Sequence, residues 1–254
     1  MSGAARESLF ALARIAAEAG QVVMRHYGAC EARAKDDRSP VTAADEEAEA
    51  LILARLAEQF PGVPVVAEEM MAAGASVAAA ARFFLVDPLD GTREFLSGNG
   101  EFTVNIAEVV DGVPVMGVVH APAINRLFAG GIGLGALEMK DDLSDVRAIA
   151  VRQAPKDGWV AIGSRSHNDE ATADYLKQFP VTDFISAGSS LKFCRVAAGE
   201  ADIYARAGRT MEWDTAAGQA VLMAAGGSVT LWDGAPFVYG KTGFENPAFV
   251  ARGG

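Results

Sequence analysis

The sequence predicts an α/β fold, with an antiparallel sheet and adjacent helices in the first half and alternating strands and helices in the second. Two observations support this prediction. Apolar residues recur at three- and four-residue intervals in the segments before residue 60, which is the spacing of an amphipathic helix face, and short apolar runs bounded by turn residues follow them. The chain has 254 residues, half of them apolar, so it can form one large domain or two small ones.

The first half begins with two predicted helices. One carries Leu9, Leu12, Ile15 and Val23 on a single face, and the other covers residues 45–60, ahead of a Pro-Gly stop. Apolar runs at 63–67 and 82–86 predict buried strands that end in carboxylates, with a helix or mobile loop over 70–81 between them. A hairpin turn at Asp111-Gly112 gives antiparallel strands at 102–110, 113–119 and 126–129.

The second half predicts a regular alternation of strands and helices. The expected order is strand 159–162, helix 169–178, strand 181–185, helix 190–198, strand 202–205, helix 214–225 and strand 228–231. The polar stretch 140–147 contains no glycine and a single serine, so it is expected to be a seam between the halves rather than a flexible linker. We expect one catalytic unit over 1–254, with halves 1–145 and 146–254.

Composition excludes several classes of protein. Lys plus Arg (22) against Asp plus Glu (33) gives a net charge of −11, which disfavours nucleic-acid polymers and anionic membranes as partners. An anionic ligand is still compatible with this charge if carboxylates cluster around divalent cations. Cys30 and Cys194 are too few for a disulfide framework. No signal-peptide pattern and no membrane-spanning apolar run is present, so a cytoplasmic location is expected.

The residues that carry chemistry concentrate in the string Asp87-Pro88-Leu89-Asp90-Gly91-Thr92. Two carboxylates three residues apart at the end of a buried strand are hard oxygen ligands suited to Mg²⁺. A short helix over 93–96 would follow and present free N–H groups to an anion. Taken alone, the two aspartates are equally compatible with an ordinary acidic turn in which Asp90 is a helix cap.

Two strings together resemble the signatures of the inositol monophosphatase superfamily of Mg²⁺-dependent, lithium-sensitive phosphatases. They are residues 87–95 and the segment Trp-Asp-Thr-Ala-Ala-Gly at 213–218. Segments 39–45, 99–107 and 188–194 resemble the CysQ branch of that superfamily, the 3′(2′),5′-bisphosphate nucleotidases. The resemblance runs from about residue 35 to 246 and implies a layered αβαβα sandwich.

The resemblance also implies a ligand set for two or three Mg²⁺ ions. In that set Glu68 is shared between metals, Asp87 bridges two ions, the carbonyl of Leu89 completes the first site, and Asp90 with Asp214 completes the second. Glu69 is left outside the set. Considered alone, Asp214 could instead be a simple helix N-cap, since a negative charge is favoured at that end of a helix.

Hydrolysis by a metal-activated water, without a phosphoenzyme, is the mechanism that the resemblance implies. Thr92 would orient the water and Asp45 would accept its proton. From the residues alone, Thr42 and Asp45 predict a capping pair for the second helix, and both roles can hold together. No serine lies in a nucleophile-elbow string, and the three histidines occur in unrelated contexts.

Substrate contacts are expected from both halves. The reacting phosphate would be surrounded by four of the metal-ligand positions and two residues beside them: Glu68, Leu89, Asp90 and Asp214, with Gly91 and Thr92. A second phosphate and a base need cationic or hydroxyl partners, and the expected ones are His167, Ser189, Ser190, Lys192 and Arg206. The alternative for these residues is an ordinary surface role: His167 could be a loop residue, and Lys192 could lie on a solvated helix face.

The function expected from the resemblance is hydrolysis of 3′(2′)-phosphoadenosine 5′-phosphate to AMP and phosphate, in support of sulfate assimilation. An alternative is an inositol or other sugar phosphate as substrate in the same fold. A different class of function is a non-catalytic module that binds Mg²⁺ or a nucleotide. The resemblance further implies a homodimer and, in some relatives, peripheral association with the inner membrane.

Overall fold

The structure is a computed structural model that describes residues 3–28, 33–34, 40–77, 80–164 and 169–254. Its α-helices are α1 (Gly3–His26), α2 (Ala43–Gln59), α3 (Glu68–Ala72), α4 (Thr92–Ser97), α5 (Glu170–Leu176), α6 (Leu191–Ala197) and α7 (Ala216–Ala224). Short 3₁₀ turns occupy Pro122–Ile124, Glu212–Asp214 and Thr242–Phe244.

The first nine strands precede residue 150. They are β1 (Arg33–Ala34), β2 (Pro40–Val41), β3 (Val65–Ala67), β4 (Arg82–Asp90), β5 (Thr103–Val110), β6 (Val113–Ala121), β7 (Arg126–Gly131), β8 (Gly135–Met139) and β9 (Arg147–Ile149). Strands β3 to β9 form a seven-stranded sheet in sequence order, parallel between β3 and β4 and antiparallel elsewhere.

The remaining strands form a second, mixed sheet and a small pair. They are β10 (Trp159–Gly163), β11 (Val181–Ser186), β12 (Ile203–Arg206), β13 (Thr210–Met211), β14 (Ser228–Leu231), β15 (Glu245–Asn246) and β16 (Phe249–Arg252). The five-stranded sheet has the order β11-β10-β12-β16-β14, with β16 antiparallel to both of its neighbours. Strands β13 and β15 pair beside it.

Helices and sheets stack as an αβαβα sandwich, as the resemblance implies. Helices α1 and α2 cover one face of the seven-stranded sheet, α6 and α7 lie between the two sheets, and α5 covers the outer face of the second sheet. Strand β4 is buried on both faces, because Phe84 and Val86 pack towards α1 and α2 while Phe83 and Leu85 pack towards the central helices. Burial on both faces explains its continuous apolar run.

Each element predicted for the second half is present within two residues of its expected bounds. The prediction missed β1, β2, β8, β9, β13, β15 and β16, which are short or lie outside any strongly periodic segment. It also ended β4 too early, since the strand continues through Asp90 rather than stopping before a turn. Strand β9 starts at Arg147 and joins the seven-stranded sheet, so that sheet extends beyond the polar stretch.

Two sequence-level expectations concern cysteines and membrane spans. Cys194 is a buried free thiol, and burial raises its pKa well above the usual value, as expected for a small core residue; Cys30 lies outside the described residues. Among the helices of the described ranges, none is both long enough and apolar enough to cross a membrane.

Two glycines allow α7 to lie directly on the backbone of the seven-stranded sheet. A Cβ atom added at Gly117 in β6 would lie 2.5 Å from the carbonyl oxygen of Ala217, and one added at Gly130 in β7 would lie 2.8 Å from Cα of Val221. These distances are shorter than van der Waals contact. Because α7 begins just after Asp214, the close contact between α7 and the sheet fixes the position of Asp214 relative to the sheet.

Replacement of Gly117 by alanine therefore forces the two layers apart. We expect Gly117→Ala to lower the free energy of unfolding by about 1–3 kcal/mol, the usual cost of overpacking a core, measured by urea denaturation. Gly3→Ala is the control, since a Cβ there meets no atom within 4 Å. A change below about 0.5 kcal/mol for Gly117→Ala, the usual range of a surface substitution, would contradict this view of the contact.

Candidate active site

Strand β4 ends in a bulge that places its two aspartates. Asp87 pairs with Asn105 of β5 and Asp90 with Thr103, and the register shifts between them because one extra residue is accommodated. The alternative of an ordinary acidic turn is wrong, because Pro88 lies within a bulged strand, a position at which its missing N–H is tolerated. Asp87 is buried, and its Oδ1 accepts a hydrogen bond from the backbone N–H of Leu89 at 3.0 Å.

Three carboxylates from separate segments converge next to this bulge. Glu68 is the first residue of α3, directly after β3, Asp87 lies in β4, and Asp214 ends the 3₁₀ turn before α7. One oxygen from each lies within 4.8 Å of the others. We call these three residues the carboxylate cluster. They come from both halves of the chain and include three of the four side-chain ligands that the sequence predicts.

The electrostatics of the carboxylate cluster favour a bound cation. Burial, followed by the charges of Glu68, Asp90 and Asp214, raises the pKa of Asp87 well above its usual value. Burial, followed by the charges of Asp90 and Glu68, does the same for Asp214. Buried like charges raise each other's pKa because ionisation of one opposes ionisation of the next. A divalent ion would remove this opposition, so the donor set fits a hard cation such as Mg²⁺.

The alternative role of Asp214 as a helix N-cap is wrong. The residue that caps α7 is Thr215, which makes no side-chain capping bond to the helix. Asp214 Oδ2 instead accepts the backbone N–H of Met211 at 2.8 Å, upstream of the helix. The other oxygen of this carboxylate takes no hydrogen bond from the described residues, so the side chain is held without capping the helix.

Asp90 lies outside the carboxylate cluster and has different partners. Its Oδ2 accepts hydrogen bonds from the backbone N–H of Ser190 at 2.7 Å and from Nδ2 of Asn105 at 3.3 Å, and it lies 2.9 Å from Oγ of Ser190. Asp90 therefore links β4 to the start of α6. It is not a cap of α4, since that helix begins after Gly91.

Thr92 and Asp45 lie together, as the resemblance implies. Oγ1 of Thr92 is 3.5 Å from Oδ1 of Asp45 and 3.3 Å from the carbonyl oxygen of Leu89. The other oxygen of Asp45 accepts both the backbone N–H and the hydroxyl of Thr42, at 2.8 and 2.7 Å. The predicted capping pair is confirmed, and it leaves Oδ1 facing Thr92.

An acidic cleft of about 240 Å³ opens above these residues. Its walls include Glu68, Asp90, Gly91, Thr92, Ser189, Lys192, Arg206 and Asp214. Gly91 has a φ of 90°, and an added Cβ would lie 3.3 Å from the carbonyl oxygen of Glu101, so only glycine fits this wall without strain. Most of the predicted substrate contacts thus border one cleft; His167 lies outside the described residues.

Lys192 is a buried cation beside this acidic cleft. Its Nζ donates to the carbonyl oxygen of Ser189 at 2.6 Å and lies 5.4 Å from the ring centre of Tyr204. Burial lowers its pKa to about 8, partly opposed by the charge of Asp90. The expectation that it could occupy a solvated helix face is wrong. Ser189, next to it, has a φ of 48° and a buried hydroxyl with no partner among the described residues.

A second, apolar cleft of about 510 Å³ adjoins the acidic cleft. The two share Ser164, Tyr204 and Arg206 as walls. The apolar cleft lies between α5 and strands β10 to β12, and its other walls include Ile162, Ala173, Leu176 and Phe184. The exposed ring of Phe184 also lines the apolar cleft, although a side chain of this size on a strand is usually buried.

Sequence reasoning missed several residues of the site. Glu94 borders the acidic cleft, and burial, then Asp90, raises its pKa. Asn105 is a fully buried amide within the apolar strand β5, which is the pattern that could have identified it. Tyr204 and Ser164 could not have been found, since nothing local distinguishes them from core residues.

Known proteins resemble this chain along nearly its whole length. The model of the inositol monophosphatase family matches residues 5–251. The 3′(2′),5′-bisphosphate nucleotidase CysQ of Salmonella typhimurium is 42% identical over 240 residues, covering 93% of this chain and 96% of that protein.

Two solved structures have the same fold. CysQ from Bacteroides thetaiotaomicron superposes with a TM-score of 0.83 at 34% identity, over 97% of each chain. An inositol monophosphatase from Anabaena superposes with a TM-score of 0.78 at 28% identity, over 98% of this chain and 91% of its own. The layered fold, the convergence of acidic segments and the match along nearly the whole sequence lead to one conclusion: this chain belongs to the inositol monophosphatase family.

Proposed function

We propose that this chain is a Mg²⁺-dependent phosphatase that hydrolyses 3′(2′)-phosphoadenosine 5′-phosphate to AMP and phosphate, in support of sulfate assimilation. The observation that carries the proposal is the carboxylate cluster at an acidic cleft that continues into an apolar cleft. Relatives up to 42% identical bear the name 3′(2′),5′-bisphosphate nucleotidase, which supports the same substrate class.

Five residues would hold two or three Mg²⁺ ions. Glu68, Asp87 and Asp214 supply the clustered oxygens, and Asp90 and the carbonyl of Leu89 adjoin them at the end of β4. The raised pKa values of Asp87 and Asp214 are the feature of this chain that fits a cation. When bound, Mg²⁺ supplies positive charge that offsets the phosphate and lowers the pKa of an attacking water.

The chain's own residues would position that water and take its proton. Thr92 has one hydroxyl hydrogen, which it donates to Asp45 or to the carbonyl of Leu89. Its oxygen then remains able to accept a hydrogen bond from water. Asp45 is buried and its Oδ1 faces Thr92, so the proton can pass to a carboxylate that is already fixed by Thr42.

The size and polarity of the two clefts favour a nucleotide over an inositol phosphate. A volume of about 510 Å³ lies within the range of small-molecule pockets, and its apolar walls suit a flat heteroaromatic base better than a polyol. Lys192, Arg206 and Ser189 border the acidic cleft, where a second phosphate would meet positive charge and a hydroxyl group. Ser190, which the sequence also predicts as a contact, is buried and borders neither cleft.

The wider biological setting follows from the same proposal. We propose that residues 1–254 act as a single catalytic unit, because the carboxylate cluster draws ligands from both halves. A cytoplasmic location and a homodimer stay predictions from the sequence and the resemblance. Size-exclusion chromatography with light scattering would decide the oligomeric state.

The first test compares substrates and removes one ligand. With Mg²⁺ present, we expect the protein to release phosphate faster from 3′-phosphoadenosine 5′-phosphate than from inositol 1-phosphate or fructose bisphosphate, and lithium to inhibit it. Asp87→Asn should reduce this rate by about a hundredfold or more, since it removes a carboxylate from the Mg²⁺ ligand set. Asp111→Asn, the same change at an exposed turn, should leave it unaltered.

The outcomes separate the alternatives. Faster release from inositol 1-phosphate would favour a sugar phosphatase of the same fold. Wild-type turnover by Asp87→Asn would contradict the metal-dependent mechanism. Mg²⁺ binding without phosphate release from any of the substrates would favour a non-catalytic binding module.

The second test concerns pH and metal. Because the pKa values of Asp87 and Asp214 are raised, the folded protein binds more protons than the unfolded chain above pH ~4. The metal-free protein therefore loses stability as the pH rises towards those pKa values. Added Mg²⁺ should reverse this loss by about 2.7 kcal/mol at roughly 100 times Kd. We expect the Mg²⁺-induced rise in Tm to be larger at pH 8 than at pH 5, measured by calorimetry.

Asp87→Asn is the matched variant for this measurement. It removes one buried charge, so the metal-free protein should lose less stability with pH and gain less from Mg²⁺. An Mg²⁺-induced rise in Tm that is equal at pH 5 and pH 8 in the wild type would count against a cation site at the carboxylate cluster.

The third test examines the apolar cleft. Ala173 is exposed on α5 and borders this cleft, so Ala173→Trp should fill it without disturbing the core. KM for the adenosine bisphosphate should rise roughly tenfold, which corresponds to a loss of about 1.4 kcal/mol of binding. KM for a phosphate ester that lacks a base should not change.

Ala171→Trp is the control, since Ala171 is exposed on the same helix but does not border the cleft. Equal KM values for Ala173→Trp and the wild type would show that the base binds elsewhere.

A further inference from the structure

A single amide side chain connects three segments of the site. Asn105 lies in the middle of β5, fully buried, and its Nδ2 donates to Oδ2 of Asp90 at 3.3 Å and to Oγ of Ser190 at 2.9 Å. A carboxylate oxygen can only accept, so the nitrogen of the amide, and not its oxygen, faces these partners. The orientation of the side chain is therefore determined by chemistry.

Ser190 extends the connection to Asp214. Its hydroxyl accepts from Asn105 and has one hydrogen to donate, and the carbonyl oxygen of Asp214 lies 2.6 Å away. Its backbone N–H donates to Oδ2 of Asp90 at 2.7 Å. Asn105 thus joins the end of β4 to the start of α6 and, through Ser190, to the turn before α7.

These bonds use one oxygen of Asp90 and leave the other. Oδ2 receives the amide of Asn105 and the backbone N–H of Ser190, whereas Oδ1 takes no hydrogen bond from the described residues. Asp90 borders the acidic cleft. A carboxylate held in this way has one oxygen committed to the protein and one available to a ligand.

The other end of Asn105 argues against a purely structural role. Its Oδ1 is buried and has no hydrogen-bond partner among the described residues. A buried carbonyl without a partner is destabilising, whereas an apolar side chain of similar volume would pack on β5 without that cost. The gain from an amide at this position must therefore come from its two N–H groups.

We propose that Asn105 is a positioning residue that fixes Asp90 for a divalent cation and couples it to Asp214 through Ser190. This inference rests on the proposed function, because the cation is the Mg²⁺ of that proposal. Loss of the Asn105 amide should lower the affinity of the cation site to which Asp90 contributes. It should leave the affinity for the nucleotide at saturating Mg²⁺ unchanged.

Asn105→Leu tests the proposal, because leucine has similar volume and no donor. Calorimetric titration of the metal-free protein with MgCl₂ should show weaker binding, by about tenfold or more, the usual effect of removing a group that orients a metal ligand. The Mg²⁺ concentration for half-maximal phosphate release should rise by a similar factor, with KM for the adenosine bisphosphate at saturating Mg²⁺ unchanged.

Thr103→Val is the matched control. Thr103 lies two residues away on the same face of β5, and its buried hydroxyl also lacks a partner among the described residues, so its removal should change neither measurement. If Asn105→Leu does not fold, Asn105→Ala replaces it in the same titrations.

Equal Mg²⁺ affinity in the variant and the wild type would overturn the proposal, as would a loss of kcat with no change in Mg²⁺ dependence. Failure of the proposed function is distinguishable from both. If the wild type binds Mg²⁺ but hydrolyses no adenosine bisphosphate, the function is wrong, and the calorimetric comparison still decides the role of Asn105.

Discussion

Repulsion among closely spaced carboxylates is the constraint on which the rest of this structure depends. Glu68, Asp87 and Asp214 bring their oxygens within 4.8 Å of one another, and burial, followed by the charges of neighbouring carboxylates, raises the pKa of Asp87 and of Asp214. A protein can hold these carboxylates close together only if the surrounding elements are packed firmly enough to keep them from moving apart. The sandwich of five layers provides that packing.

The two halves of the chain meet at this point in a definite way. The seven-stranded sheet supplies Asp87 and Asp90, and the segment around α6 and α7 supplies Ser190 and Asp214. Hydrogen bonds from the backbone N–H of Ser190 to Asp90 and from the side chain of Asn105 to Ser190 cross the junction. The site is consequently a product of the interface between halves, and neither half contains the whole ligand set.

Most of the fold could be predicted from periodicity, because its helices are amphipathic and its central strands are buried runs bounded by glycine or proline. Strand β16 was missed since it is four residues long and its pairing partners, β12 and β14, precede it by about 20–45 residues. The metal ligands could be predicted from local strings and the family resemblance. The role of Asn105 could not, because its partner Ser190 is 85 residues away and only the folded chain brings them together.

Gly117 and Gly130 also determine how the carboxylate cluster can respond to its own charge. Charged groups that repel one another move apart when the helices and strands that carry them can move. Here the helix after Asp214 comes close to the backbone of β6 at Gly117 and of β7 at Gly130, and β4 belongs to the same sheet. Close-packed layers transmit strain instead of absorbing it. This packing restrains the separation of Asp87 and Asp214, and a neutralising species, a proton or a cation, would relieve the repulsion between them. The packing of the surrounding layers therefore sets how much charge the site can hold before any ligand binds.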